Sequence, residues 1–162
     1  MENDTRALLK TDKGDIVLRL FGDMPVTAGN FSELVSEGFY DGTVFHRIIP
    51  GFMVQGGDPD GNGCGGPGYN IPDEFVAGHS NQRGSVAMAN TGRPDSGGSQ
   101  FFINMADNSY LDWDDARYPH IRHPVFAEVL EGMEAVDAIA AVPTGPQDRP
   151  SEEVRILKAL LL

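Results

Sequence analysis

The fold class this 162-residue sequence predicts is mostly β: a closed antiparallel barrel with a helix over each open end. Two observations carry that expectation. Short apolar runs with strand-like alternation recur from end to end, each bounded by Gly, Pro, Asn or Asp. Only two stretches show helical spacing, and they stand far apart in the chain. Composition by itself would fit an α+β sandwich as well.

The elements follow in order. ALLKTDKGDIVLRLF reads as two strands around a Lys-Gly-Asp turn, with Ile16, Leu18 and Leu20 alternating against Val17 and Arg19. Pro25 can open a helix, since its missing N–H costs nothing in the first turn. Phe31, Leu34 and Val35 continue it at helical spacing, and Gly38 supplies a stop. TVFHRIIPGFMVQGGDP then reads as two short strands joined by Ile49-Pro50-Gly51-Phe52, a type II turn. GGDPDGNGCGGPGYN, 56–70, is too glycine-rich for anything but loop. Further strands are predicted at 85–89, 100–104 and 125–130. A second helix carries Met133, Val136, Ile139 and Ala140 on one stripe, and 154–161 closes the chain as a strand.

Hydrophobic residues at 40% and charged residues at 22% suit one domain, 1–162, that buries a real core. MENDTR is polar and unlike a secretory leader, and ALLL is too short to span a bilayer. A single cysteine, Cys64, allows no internal disulfide and suits a reducing cytoplasm, where this chain is expected to act as a monomer. Twelve Lys and Arg against 24 Asp and Glu leave a formal net charge of −12. Such a surface repels phosphate backbones and anionic lipid, so neither nucleic acid nor membrane is an expected partner. Its only lysines are Lys10, Lys13 and Lys158, a pattern that would also suit a salty cytoplasm.

Several familiar motifs fail on inspection. Gly61-Asn62-Gly63-Cys64-Gly65-Gly66 matches a dinucleotide pattern, but Pro67-Gly68 follows where a helix must begin. Asp58, Asp60, Asn62 and Gly63 imitate an EF-hand loop, yet its twelfth position is Tyr69 rather than Glu. Cys64 and His79 make no zinc spacing with His46, His120 or His123. Cys64 has no neighbouring base, and Ser99 is followed by an amide and two aromatics. No metal and no cofactor is therefore expected.

What survives is a set of polar residues in or beside apolar strands: Arg47, Gln55, Asn90 and Gln100, in the company of Phe45, Phe52, Met53, Phe101 and Phe102. A buried polar head among such neighbours costs free energy unless it is paired. The amides cannot act as acid, base or nucleophile; they can hold backbone N–H and C=O groups. Each could satisfy its own fold, but four together point to a groove for a peptide.

FHRIIPGFMVQGGDP, SVAMANTGRPDSGGSQFFIN and HPVFAEVLEGM resemble the signature segments of the cyclophilins, the cyclosporin-binding peptidyl-prolyl cis-trans isomerases, and the similarity runs from GDIVLRLF to VRILKALLL. The resemblance implies an eight-stranded antiparallel β-barrel capped by two α-helices. It implies an enzyme that speeds rotation about X–Pro bonds in unfolded or flexible polypeptides and so assists folding. Arg47 matches the catalytic arginine, with Gln55 beside it. Phe52, Met53, Phe102, Leu111 and His123 match the pocket for the proline ring. Gln100 matches a polar neighbour of the arginine, Ala89 and Asn90 the edge that pairs with the substrate backbone, and Gly63 a neighbouring subsite.

Two departures stand out. Tyr110 occupies a position where many members carry a Trp whose indole donates to cyclosporin, so weakened drug affinity is expected. Residues 112–122, DWDDARYPHIR, form a long insert before His123 that holds the only tryptophan, Trp113, and is expected to cover the barrel surface, with a substrate-gating or partner loop as the alternative. A non-catalytic binder of proline peptides would use the same groove, but it would have no need of Arg47.

Overall fold

The computed structural model describes residues 5–162, so the polar start, 1–4, lies outside the described residues. Strands β1 (Thr5–Thr11) and β2 (Gly14–Leu20) form the first hairpin, followed by helix α1 (Pro25–Ser36). β3 (Arg47–Ile49), β4 (Met53–Gly56), β5 (Ser85–Met88), β6 (Phe101–Asn104) and β7 (Val125–Glu131) lead to helix α2 (Met133–Ala140) and β8 (Ile156–Leu161). All eight strands belong to one antiparallel sheet in the order β3-β4-β6-β5-β7-β2-β1-β8.

The local signals explain these elements. Met24 precedes α1 without a side-chain cap, and the Glu74 carboxylate, brought from a distant loop, accepts the first free N–H groups at Val26 (3.0 Å) and Thr27 (2.8 Å). Gly38, with φ at +76°, ends that helix where a side chain would be strained. Gly51, also at φ +76°, closes the turn between β3 and β4, with the Phe52 amide donating to the Ile49 carbonyl at 3.0 Å.

One expectation needs correction: the sheet is curled but not closed. Its edge strands β3 and β8 do not pair with each other. Just before β3 the seam is crossed by the bridge Val44–Arg155 and by hydrogen bonds from Phe45 to Val154, from Gly42 to Ile156 and from Ile156 to Thr43. Val44, which meets Arg155 across the seam, is bridged on its other side to Asp58, so the contact is an isolated bridge outside β3 and not a ladder between β3 and β8.

The register separates two faces. Ile48, Val54, Ile103 and Val86 lie opposite one another across β3, β4, β6 and β5, and all four are fully buried in the barrel interior. Phe101 shares that face two residues from Ile103 and packs edge-on against Phe31, Tyr40 and Phe45. The alternate row, Arg47, Gln55, Phe102 and Ala87, therefore looks outward from the same four strands. No helix among the described residues is long and apolar enough to cross a membrane.

Candidate active site

The outward row builds the site. Arg47 and Gln55 are cross-strand neighbours on β3 and β4, and Arg47 Nη1 donates to Gln55 Oε1 at 3.4 Å. Gln55 Nε2 donates to Gln100 Oε1 at 3.0 Å, and Gln100 Nε2 donates to the Gly63 and Gly65 carbonyls, each at 3.0 Å. This relay orients both amides, and the guanidinium has further N–H donors beyond the one it gives to Gln55. Arg47 is exposed. It stands at the lip of the site, so its hydration is retained and no ion pair is needed to hold it there.

Beside Gln55 on the next strand is Phe102, 4% exposed, and Met53 at 2% and Leu111 at 6% belong to the same buried apolar cluster. Phe102 meets the edge of the His123 ring at 5.2 Å, and the Phe52 and Tyr110 rings stack at 6.4 Å. The His123 amide donates to the Leu111 carbonyl at 3.1 Å, closing the ends of the 112–122 insert against each other. Thus the insert does not displace His123 from the apolar hollow. Phe45 and Phe101, grouped with these residues by sequence, belong instead to the interior face.

Ala89 and Asn90 form the far rim. The Ala89 amide donates to the Gln100 carbonyl at 3.0 Å, and the Asn90 side chain bridges the Arg122 carbonyl (2.7 Å) and the Gly92 amide (3.0 Å). A groove of about 670 Å³ adjoins this rim, lined by Gln55, Gly63, Cys64, Tyr69, Ala89 and Asn90 among others.

Sequence reasoning missed what holds the hollow in shape. Asn104 Nδ2 donates to Asn81 Oδ1 (3.0 Å) and Ser85 Oγ (2.9 Å), while Asn104 Oδ1 accepts from Asn108 (2.9 Å). Asn108 also donates to the Phe52 carbonyl at 2.9 Å, and Asn81 donates to Asp112 at 2.8 Å. Asn81 and Asn104 are fully buried. The network ties the Phe52 wall to the start of the insert. The signal was an Asn at the end of a strand, FFIN, followed by another four residues on, which is too sparse to read alone.

The glycine loop proves to be a turn scaffold. The buried Asp58 carboxylate accepts N–H groups from Asp60 (2.8 Å), Asn62 (3.0 Å) and Gly63 (2.6 Å). Burial would raise its pKa, but these donors and Gly65 outweigh burial and hold it below the ordinary carboxylate value. A Cβ at Gly65 would overlap Asp58 Oδ1, so the loop requires glycine there. Among the described residues no three His, Cys, Asp or Glu side chains gather as metal ligands would.

Burial pushes the His123 pKa below 6.5, against the Met88 carbonyl, which lies 2.9 Å from Nδ1 and raises it. His46 is lowered too, by burial first, with Asp58 opposing and Arg149 and Arg47 assisting; its Nδ1 has no partner among the described residues. The unfolded chain therefore takes up protons before the native one does. Stability from these neutral rings is full above the unfolded value, about 6.5, and is lost as pH falls towards the lower folded values. An NMR titration should find both midpoints below 6.5; a midpoint at or above that value would mean a solvated ring.

The model of the cyclophilin type peptidyl-prolyl cis-trans isomerase family matches residues 6–160. The chain is 43% identical to a peptidyl-prolyl cis-trans isomerase-like 1 of Gibberella zeae, over 96% of this chain and 93% of the relative. It is 44% identical to peptidyl-prolyl cis-trans isomerase B of Streptomyces anulatus, over 96% and 95%. A cyclophilin type isomerase of Cryptosporidium parvum, crystallised in the presence of the dipeptide Ala-Pro, superposes with a TM-score of 0.88 at 29% identity, covering 97% of this chain and 98% of that one. Near-complete coverage by the family model, with relatives above the level at which sequence similarity carries family membership, places this chain among the cyclophilin type peptidyl-prolyl cis-trans isomerases.

Proposed function

We propose that Arg47 is the group that lowers the barrier, acting on a proline held in the Phe52–Phe102 hollow. The X–Pro bond turns slowly because amide resonance sets a barrier of ~18–20 kcal/mol. Bringing tens of seconds towards milliseconds takes about four powers of ten, or ~5–6 kcal/mol of selective stabilisation. As the C–N bond twists, resonance is lost and the prolyl nitrogen regains a basic lone pair. A fixed donor aimed at that nitrogen favours the twisted state over both planar ones.

Arg47 suits the task because it stays protonated and presents a rigid planar fork. Gln55, braced by Gln100, limits where that fork can swing. Phe52, Met53, Phe102, Leu111 and His123 hold the ring, and Ala89 and Asn90 offer backbone to the chain on one side. One side is then fixed while the other rotates, and no covalent bond to the substrate forms. The observation that carries this reading is the Arg47–Gln55–Gln100 relay lying one strand from Phe102.

The substrates on this reading are unfolded or flexible proline-containing chains, bound by a monomer of one domain, 1–162, in the cytoplasm. Activity is tested by NMR exchange on a short X–Pro peptide; absence of acceleration would overturn the reading. Cyclosporin should inhibit weakly, since a tyrosine ring cannot supply an indole donor. Tyr110→Trp should tighten inhibition about tenfold, the worth of one well-placed hydrogen bond. Unchanged inhibition would show that Tyr110 is not at the drug contact.

A further inference from the structure

The 112–122 insert brings an aromatic ring to the edge of the hollow. Tyr118 meets Tyr110 edge-on at 6.0 Å, and Tyr110 stacks on Phe52 at 6.4 Å. Three rings therefore run in succession from the apolar wall outward. The last is 49% exposed, with free area to cover.

The ring is held in place rather than carried on a loose loop. At its start the insert is anchored by the buried Asp112, which accepts from the Asn81 amide and side chain, both at 2.8 Å. At its end Asn90 donates to the Arg122 carbonyl at 2.7 Å, and Arg122 Nε donates to the Pro119 carbonyl at 3.0 Å. Between these anchors the Ile121 amide closes a turn on the Tyr118 carbonyl. Trp113, at the start of the same insert, stacks instead on Phe75 at 5.6 Å.

Spacing then names the ligand. The steps of 6.4 and 6.0 Å are each near the about 7 Å that two residues of extended chain span. A chain whose proline lies against Phe52 would pass Tyr118 with a side chain two to four residues away. Arg117, the preceding residue, is paired with Asp115 at 2.6 Å, which leaves the exposed ring as the contact that Tyr118 offers. We infer that Tyr118 is a specificity residue that favours substrates with an aromatic side chain two to four residues from the proline. This inference rests on the placing of the proline ring proposed above.

The test uses the whole protein and seven- to nine-residue X–Pro peptides, with one Phe moved through positions two to four on either side and an all-Ala-flanked reference. Both kcat/KM by NMR exchange and Kd by chemical-shift titration are read. The parent should prefer a Phe peptide about three- to tenfold, as an added aromatic contact implies. Tyr118→Ala should abolish that ratio and Tyr118→Phe should keep it. A parent with no preference at any position, or a Tyr118→Ala variant that retains it, overturns the inference. Turnover of the Ala-flanked peptide reports on the isomerase reading separately. If turnover were absent, the ratio of Kd values would still decide the role of Tyr118.

Discussion

Arg47→Ala is expected to lower kcat/KM for a short X–Pro peptide by about two to three powers of ten, the loss typical when a donor aimed at developing charge is removed. Peptide Kd should rise less than about tenfold, because the proline ring is held by the apolar hollow and the ground-state nitrogen, still in resonance, is a poor acceptor. Arg47→Lys should recover only part of the rate. It keeps the charge but loses the planar fork that Gln55 steadies at 3.4 Å. NMR exchange and peptide titration on the same samples separate the two constants. Equal loss in both would make Arg47 a binding residue and the site a passive proline receptor.

Asn104→Ala carries the second large effect, on stability. It strands the buried Asn81 Oδ1 and takes one partner each from Ser85 Oγ, which keeps its bond to the Gln82 carbonyl, and from the Asn108 amide, which keeps the Phe52 carbonyl. Each stranded buried polar group costs about 1–3 kcal/mol, less whatever the remaining groups recover by rearranging. A net loss of about 3 kcal/mol is expected, or roughly 6–12 °C in Tm for a chain of this size. Urea and thermal unfolding measure it. A loss below about 1 kcal/mol would mean that the network rearranges freely. Because Asn108 also holds the Phe52 carbonyl, KM for proline peptides should rise while kcat changes little.

Much of the fold was legible because the signals are local. Pro25 at the start of α1, Gly38 after its end, and Gly51 in the turn before β4 act through backbone angles that neighbours hardly alter. Alternation likewise marked most strands to within a residue or two. Sheet closure was not legible in this way. Whether β3 meets β8 depends on how the two edges of the sheet, far apart in the chain, are brought together, and no local pattern encodes that.

The site shows the same division. Arg47, Gln55 and Gln100 stood out as polar residues where apolar ones were expected, and the register then brought them into a single relay. Phe101 and Phe102 could not be assigned to opposite sides without knowing which face the sheet turns inward. Asn81, Asn104, Asn108 and Asp112 looked like ordinary loop and strand-end residues, and only their convergence makes them a frame.

The sequence by itself determined which segments become strands, helices and turns, and which side chains are the candidates for holding a proline and meeting a twisted imide. Those properties reside in individual residues and their immediate neighbours. Tertiary structure alone decided that Arg47 stands at the lip rather than in the core, that the sheet stays open at its seam, and that the insert sets Tyr118 beside Tyr110. Each of these is a contact between residues far apart in the chain, fixed by the collective packing of the barrel and the loops over it.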